Sequence, residues 1–337
     1  VSESLRWEEK ATANIGFDAA LLDNQFMLTL DLFRSKSSDV LVGQPLPFYL
    51  GNLQGDPTVN IGSIENKGLE VELAYRPKLE SDFKWDIAGN FSIIRNKVLK
   101  LGSLGVDEET GLQRGYISSG NTRTQIGRSV GEYYVLRTDG IFQNQAEIDA
   151  HKAQALYAKP GDIRYVNYVD GGTNDDINDR DRVYAGSPWP KFTTGLQLNS
   201  SYKNFNLSLQ LYGSFGQKLY NDVIRELDSY GFSNYRRDID PWTPTNTNTN
   251  FPRLGISSGV NDSQADRGVT SNARGNTDRW IEDGSFLRLR TLELGYTFPA
   301  EMLSRAGVSN VRLFVSGQNL FTITGYSGLD PDVVGAN

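Results

Sequence analysis

Cysteine is absent from the 337 residues, so no disulfide framework, thiolate metal site or thiol nucleophile is available. Histidine is nearly absent too. With His151 as the single imidazole, a multi-histidine metal centre is excluded, and a Ser/His/Asp relay would have one possible anchor. Long apolar runs are missing: the longest, such as Ala19 to Leu22, fall far short of the ~18 residues a spanning helix requires. Excess positive charge is missing as well, and a net charge of −7 argues against a nucleic-acid partner, which calls for a basic surface to neutralise phosphates. The chain starts Val1-Ser2-Glu3 with no basic segment followed by an apolar one, so no export signal is read; an exported protein with this sequence is expected to lack its beginning.

Apolar residues make up 38% of the chain, below the ~45–50% of an ordinary globular domain. Aromatics nevertheless reach 11%, and there are 34 glycines. That mixture is too aromatic for disorder and too polar for a helical membrane protein.

The strongest positive signal is alternation with a period of two, the mark of a strand whose faces meet unlike surroundings. From Phe83 to Ile93 the odd positions are apolar or glycine and the even ones small or polar. Leu69, Val71, Leu73 and Tyr75 alternate with Glu70, Glu72, Ala74 and Arg76, and Phe205, Leu207, Leu209 and Leu211 with Asn206, Ser208, Gln210 and Tyr212. Phe26, Met27, Leu28, Leu30 and Leu32 form a more apolar version. These segments exceed the ~5–6 residues usual in globular sheets and suit the ~9–11 that cross a bilayer at a tilt.

The long strands come in couples. Four hairpins are predicted: Arg6 to Leu21 with Gln25 to Ser37, Ile64 to Pro77 with Phe83 to Asn96, Lys191 to Tyr202 with Phe205 to Phe215, and Ser285 to Phe298 with Asn310 to Thr322. Within each the turn is short, as at Asp23-Asn24 or Lys203-Asn204. Between them run the long connections Ser38 to Ser63, Lys97 to Pro190 and Gly216 to Gly284, rich in Gly, Asn, Asp, Ser and Pro. Short turns at one end and long loops at the other are the pattern of an outer-membrane barrel. In hydrocarbon every backbone polar group needs a partner within the protein, so only helices or a closed barrel can span, and helices are excluded above. The expected fold class is therefore all-β: an antiparallel transmembrane β-barrel portion of about eight long strands in four hairpins, belonging to a larger barrel. Trp85, Phe91 and Leu207 would meet lipid, while Glu70, Glu72, Asp86, Asn90, Asn206 and Gln210 would line a wet lumen or touch a plug. Tyr75, Phe83, Trp85, Tyr202, Phe205 and Tyr296 sit at strand ends by the turns, where an aromatic girdle belongs.

Several ordered blocks carry a specific resemblance. Phe286-Leu287-Arg288-Leu289-Arg290-Thr291-Leu292-Glu293-Leu294-Gly295-Tyr296 is followed by Val311-Arg312-Leu313-Phe314-Val315-Ser316-Gly317-Gln318-Asn319-Leu320-Phe321 and then by Tyr326-Ser327-Gly328-Leu329-Asp330-Pro331. Leu5 to Glu9, Asn60 to Glu70, Thr138 to Phe142, Pro160 to Tyr165 and Gly186 to Phe192 add further blocks. Together they resemble the barrel of the SusC/RagA family of TonB-dependent outer-membrane transporters across nearly the whole chain. The resemblance implies the outer membrane of a Gram-negative, Bacteroidota-type cell, a plugged barrel of about 22 strands, a SusD-like surface lipoprotein as lid, energy from the TonB complex through an N-terminal region, oligosaccharide or peptide cargo, and no enzymatic step. On that reading residues 1–337 are part of the barrel domain, without plug, early strands or last strand, and 97–190 form a long extracellular loop within it.

Two loops could carry binding chemistry. Asp170, Asn174 and Asp181 occupy the first, fifth and twelfth positions of an oxygen-rich, EF-hand-like pattern that could hold Ca2+, although Gly172 offers no side-chain oxygen and Asp175 replaces the turn glycine. The competing reading is a solvated acidic turn. No other cofactor is expected. The second loop joins Tyr230, Phe232, Tyr235 and Trp242 to Arg237 and neighbouring charges, a combination on which sugar faces could stack or peptides dock; packing within the loop or against the lipoprotein is the alternative. Carboxylate pairs such as Glu108-Glu109 or Asp238 and Asp240 would suit glycoside hydrolysis, but such pairs arise by chance among 41 acidic residues. A helix is predicted within Asn144 to Leu156, with His151 on its surface. The runner-up to transport is a soluble or surface-attached β-rich glycan-binding protein, which would show mixed polarity on both strand faces.

Overall fold

The computed structural model describes residues 5–43, 58–102, 115–169, 176–228, 236–255, 271–303 and 307–332. Eight long strands form one antiparallel sheet: β1 (Glu9–Leu21), β2 (Phe26–Gly43), β3 (Thr58–Tyr75) and β4 (Phe83–Lys100), then, after the loop elements β5 to β10, β11 (Phe192–Tyr202) and β12 (Phe205–Phe215), and finally β15 (Phe286–Thr297) and β16 (Arg312–Thr324). Their order across the sheet is β1-β2-β3-β4-β11-β12-β15-β16, each neighbour being the next long strand in the chain. The sheet is open, with β1 and β16 as its edges.

The four expected hairpins are present; β16 runs two residues past its expected end, to Thr324, and three strands run further still. β2 continues past Ser37 to Gly43, β3 begins at Thr58 rather than Ile64, and β4 reaches Lys100. Register shifts between Ser37 and Val40 and between Ser63 and Ile64 explain the difference. A bulge turns the side chains over while the backbone ladder goes on, so the period is lost where the strand is not.

Pairing sorts the side chains into two faces. Leu21 and Phe26 stand beside Tyr75, Ile87, Leu198, Leu209 and Leu292 in one continuous cross-strand row. The next row towards the turns runs through Trp85, Ser200, Leu207, Leu294 and Val315. On the other face Asp86, Asn199, Ser208, Glu293 and Ser316 form an equally continuous polar row. Its members bond one another: Asn199 Nδ2 donates to Asp86 at 2.9 Å, and Ser208 Oγ to Asn199 at 2.8 Å. Ile15, Phe17, Leu294, Leu313 and Val315 are each more than half exposed on the apolar side. A surface of this kind in water would be a liability, and in a bilayer it is the requirement.

The expected aromatic girdle is present as one row: Phe83, Tyr202, Phe205 and Tyr296 are mutual pairing partners at the short-turn end. Phe205 and Tyr296 lie 4.8 Å apart between ring centroids, and Tyr75 meets Trp85 edge-on at 5.7 Å.

The described parts of the long connections are folded. β5 (Tyr116–Ser119), β6 (Thr122–Gln125), β7 (Glu132–Leu136) and β10 (Arg182–Gly186) make a four-stranded sheet, while β8 (Thr138–Ile141) pairs with β9 (Ile163–Tyr165), and β13 (Lys218–Tyr220) with β14 (Ile281–Asp283). Three short helices accompany them, α1 (Gln145–Ala150), α2 (Asp222–Asp228) and α3 (Ala300–Leu303). The buried apolar residues of the loop layer form small clusters, one of Leu136, Ala153, Ile163, Tyr165 and Ile177, another of Phe142, Ile148 and Ala158. Both clusters lie within the single connection between β4 and β11, and polar contacts such as Asp162 with Arg253 and Asn272 tie it to the connection after β12.

Candidate functional site

The candidate site is the loop layer above the long-loop end of the sheet, where the two connections that flank β11 and β12 converge. Gly161 and Asp162 form the junction. Gly161 has φ of +94°, a left-handed conformation that favours glycine, and a Cβ there would stand 2.4 Å from Trp242 Cε3. The next residue is buried, and its carboxylate accepts from Arg253 Nε at 2.6 Å, Asn272 Nδ2 at 2.9 Å and the Lys159 amide at 2.8 Å. One side chain thereby ties three stretches of chain. The Pro160 to Tyr165 block is legible as a junction only once its partners, 91 and 110 residues away in sequence, are seen.

Beside this junction lies a cleft of about 580 Å³, within the ~300–1,000 Å³ of ligand sites. Gln143, Glu147, Arg164, Asn250 and Arg279 supply its polar lining. Arg164 Nη2 pairs with Asp139 at 3.1 Å and Nη1 approaches Glu147 at 3.8 Å, while its Nε is buried with no hydrogen-bond partner among the described residues. Arg279 is held by ring faces, its guanidinium 4.9 Å from the centroids of both Phe251 and Trp280. Burial pulls the Arg279 pKa below the usual arginine range, against the opposing field of Tyr165 and Asp228. The cleft therefore offers two cations, a carboxylate and amides. Sequence reading missed it, since its residues come from four separate segments and none forms a local motif.

Of the residues singled out from sequence, Tyr230, Phe232 and Tyr235 lie outside the described residues, as do Asp170 and Asn174. Arg237 is exposed. Trp242 is buried, packed over Gly161, with its indole Nε1 donating to Gln143 at 2.9 Å, so it reaches the cleft's lining through that amide. Asp181 is buried, and its carboxylate accepts from the Tyr168 amide at 2.8 Å and the Asn178 amide at 3.0 Å, closing the turn before β10. Among the described residues no group of three or more His, Asp and Glu side chains could hold a metal ion. The helix expected from Asn144 to Leu156 is shorter: α1 stops at Ala150, with Asn144 as its N-cap. His151 is half-buried rather than a surface residue, its Nε2 standing 2.7 Å from the Tyr165 carbonyl and its ring edge-on to Phe142. The imidazole thus ties the end of α1 to β9, while the His151 amide donates to the Ile148 carbonyl.

The inner wall below the loop layer is also polar. A shallow cleft of about 400 Å³ at the short-turn end is lined by Arg76, Lys84, Asp86, Asn199 and Asn206.

Comparisons with known proteins agree with this architecture. The family model "TonB dependent receptor-like, beta-barrel" matches residues 2–114. TonB-dependent receptor P3 of Formosa agariphila is 35% identical over 98% of this chain, and TonB-dependent receptor SusC of Bacteroides thetaiotaomicron is 29% identical over 98%. The chain spans 31% and 30% of those two relatives, about a third of their length. Among solved structures, the RagAB peptide transporter superposes with a TM-score of 0.75 at 21% identity, covering 96% of this chain and 33% of that one. The RagAB peptide importer in its "open-open" state gives 0.71 at 22% identity. With an open eight-stranded sheet, segregated faces and these likenesses along nearly its whole length, the chain belongs to the TonB-dependent receptors of the SusC/RagA type, as part of their β-barrel.

Proposed function

We propose that the receptor containing this chain imports oligosaccharides or peptides across the outer membrane of a Gram-negative, Bacteroidota-type cell, using TonB-supplied energy and a SusD-like surface lipoprotein. The observation that carries the reading is the sorting of the sheet: an apolar outer face, a hydrogen-bonded polar inner face, short turns at one end and a folded loop layer at the other. A soluble glycan-binding protein would mix polarity on both faces, and here the rows are segregated. Import on this reading involves no covalent chemistry; relatives of this family are receptors for transport, not enzymes.

Within the chain, the cleft of Gln143, Glu147, Arg164, Asn250 and Arg279 is the first candidate for cargo contact. Fixed charges of both signs with adjacent amides suit a polar oligomer that must be held and released, and the unpartnered Arg164 Nε supplies a donor that such a ligand would satisfy. Arg237 and Trp242, with Tyr230, Phe232 and Tyr235 of the same connection, would add contacts to the cargo. A cation among Asp170, Asn174 and Asp181 would be a local loop clamp with no part in import.

The test is to express the full-length receptor, fractionate the cells and ask three things of the product: whether it is a heat-modifiable barrel in the outer-membrane fraction, whether a lipoprotein co-purifies, and what cargo is retained. A barrel with a lipoprotein and a bound oligosaccharide or peptide pool is expected. A soluble product running at its unfolded mass would overturn the reading.

A further inference from the structure

The apolar outer face ends abruptly in a cluster of cations. On β4 the outward residues are Phe83, Trp85, Ile87, Gly89, Phe91 and Ile93, and then Arg95 and Lys97. The ten steps from Phe83 to Ile93, at ~3.3 Å each and a tilt of ~40°, climb about 25 Å, the height of the apolar band of an outer-membrane barrel. β2 repeats the pattern with Phe26, Leu28, Leu30 and Leu32 followed by Arg34 and Lys36, and β3 with Leu69 followed by Lys67 and Glu65.

Register puts these residues side by side. Arg34, Lys67 and Arg95 are direct partners across three strands, and the row above them is Lys36, Glu65 and Lys97. Like charges directly opposite one another destabilise a sheet, so this arrangement needs a counter-anion. Glu65 supplies part of it: buried between its neighbours, it pairs with Arg34 at 2.6 Å and Lys67 at 2.9 Å. Arg95 is spent on carbonyls, those of Ile94 and Lys191. Lys36 and Lys97 are exposed and form no ion pair among the described residues. Among the described residues, the other carboxylate pointing outwards nearby is Glu9, one row higher on β1. Five cations thus face two carboxylates on a surface that borders lipid.

We infer that Arg34, Lys36, Lys67, Arg95 and Lys97 form a binding site for the phosphorylated headgroup of an outer-leaflet lipid. Its acyl chains would lie along the apolar rows of β2, β3 and β4 directly beneath, and its phosphates would bridge the cation rows. The cluster stands at the long-loop end, the outer side of the membrane on the reading proposed above, and the inference rests on that reading. Ammonium and guanidinium groups hold phosphate through charge-assisted hydrogen bonds, and the low-dielectric flank of the bilayer limits their screening.

The full-length receptor, purified as a heat-modifiable barrel, would be titrated in detergent with bisphosphorylated lipid A, with the same lipid stripped of its phosphates, and with inorganic phosphate, and read by native mass spectrometry. The bisphosphorylated lipid is expected to bind preferentially, with each cation removed weakening it about fivefold; R34Q/K67Q/R95Q should lose the preference while K78Q, at the opposite end, keeps it. Glu65→Gln, which frees Arg34 and Lys67, should raise the preference, a change opposite in sign to any loss through misfolding. Equal binding of the two lipids by the wild-type barrel, binding of inorganic phosphate as tight as that of the lipid, or a preference lowered by Glu65→Gln would overturn the headgroup site. A product that is no barrel at all overturns the transport reading and the site with it, and the heat-modifiability assay tells that case from the others.

Discussion

Leu289 and Leu292 share a face of β15 although they are three residues apart. Leu289 pairs with Leu211 and Leu292 with Leu209, which leaves Arg290 as an extra residue against β12. The shift inverts the alternation, so that Leu287 and Leu289 before it and Leu292 and Leu294 after it all join the apolar face, while Arg288 turns inwards. Deleting Arg290 is therefore expected to close the ladder with no side chain turned over, Arg288 staying inwards and Leu289 and Leu292 outwards in one unbroken alternation. Heat-modifiable barrel in the outer-membrane fraction should be retained; a sharp fall would show that Arg290 is needed for more than the change of register.

Arg288 itself closes the following segment. Its side chain is 7% exposed and pairs with Asp330 and, at 3.2 Å, Asp332, while its Nε donates to Thr322 at 2.9 Å. Both aspartates are partly solvated, so Arg288→Ala should cost about 1.5–3 kcal/mol, the range for hydrogen bonds to charged groups. Limited proteolysis should then cut near residues 325–332 in the variant before it cuts the wild type; identical cleavage would count against the clamp.

At the loop junction, Asp162→Ala strands Arg253 and Asn272 together. Removing one partner of a buried pair costs about 3–5 kcal/mol. Hydrogen exchange across residues 139–165 and 242–253 should rise by several orders of magnitude in the variant while β11 and β12 stay protected. Uniform protection would mean that the loops do not depend on Asp162.

Alkaline pH should loosen the same layer. Tyr165 is fully buried, and burial raises its pKa well above the ordinary 10.0, with Arg274 and the hydrogen bond to Ser271 opposing. A raised pKa means that the neutral hydroxyl stabilises the fold fully below about 10 and that this contribution is lost as pH climbs from there towards the folded value. Tyr165→Phe should be less stable by about 1 kcal/mol at neutral pH, from the lost hydrogen bond, and should show a weaker decline above pH 10. Parallel declines in both proteins, followed by tyrosine absorbance and near-ultraviolet circular dichroism, would remove Tyr165 as the cause.

The barrel wall was legible in the sequence because a membrane imposes one rule on every residue of a strand: Leu207 and Leu209 must differ from Ser208 and Gln210. Turns were legible for a related reason, since Asp23, Asn24 and Lys203 take positive φ in tight hairpins. The rule fails at bulges, and so the ends of β2, β3 and β4 and the inversion at Arg290 were hidden. It also fails in the loops, where structure comes from distant partners. Nothing local to Asp162 announces Arg253, and nothing near Arg164 announces Arg279. Trp242 drew attention as an aromatic in a charged loop, but its environment is set by Gly161, 81 positions earlier in the numbering.

The most direct test of the wall is to place single cysteines in the cysteine-free sequence at Leu207, Ser208, Leu209, Gln210 and Leu211 of the full-length receptor, spin-label each in lipid vesicles, and measure collision with oxygen and with a water-soluble nickel chelate. Positions 207, 209 and 211 should favour oxygen and positions 208 and 210 the chelate, in strict alternation. Equal accessibility of all five, or the opposite alternation, would contradict a sheet with lipid on one side and a wet lumen on the other.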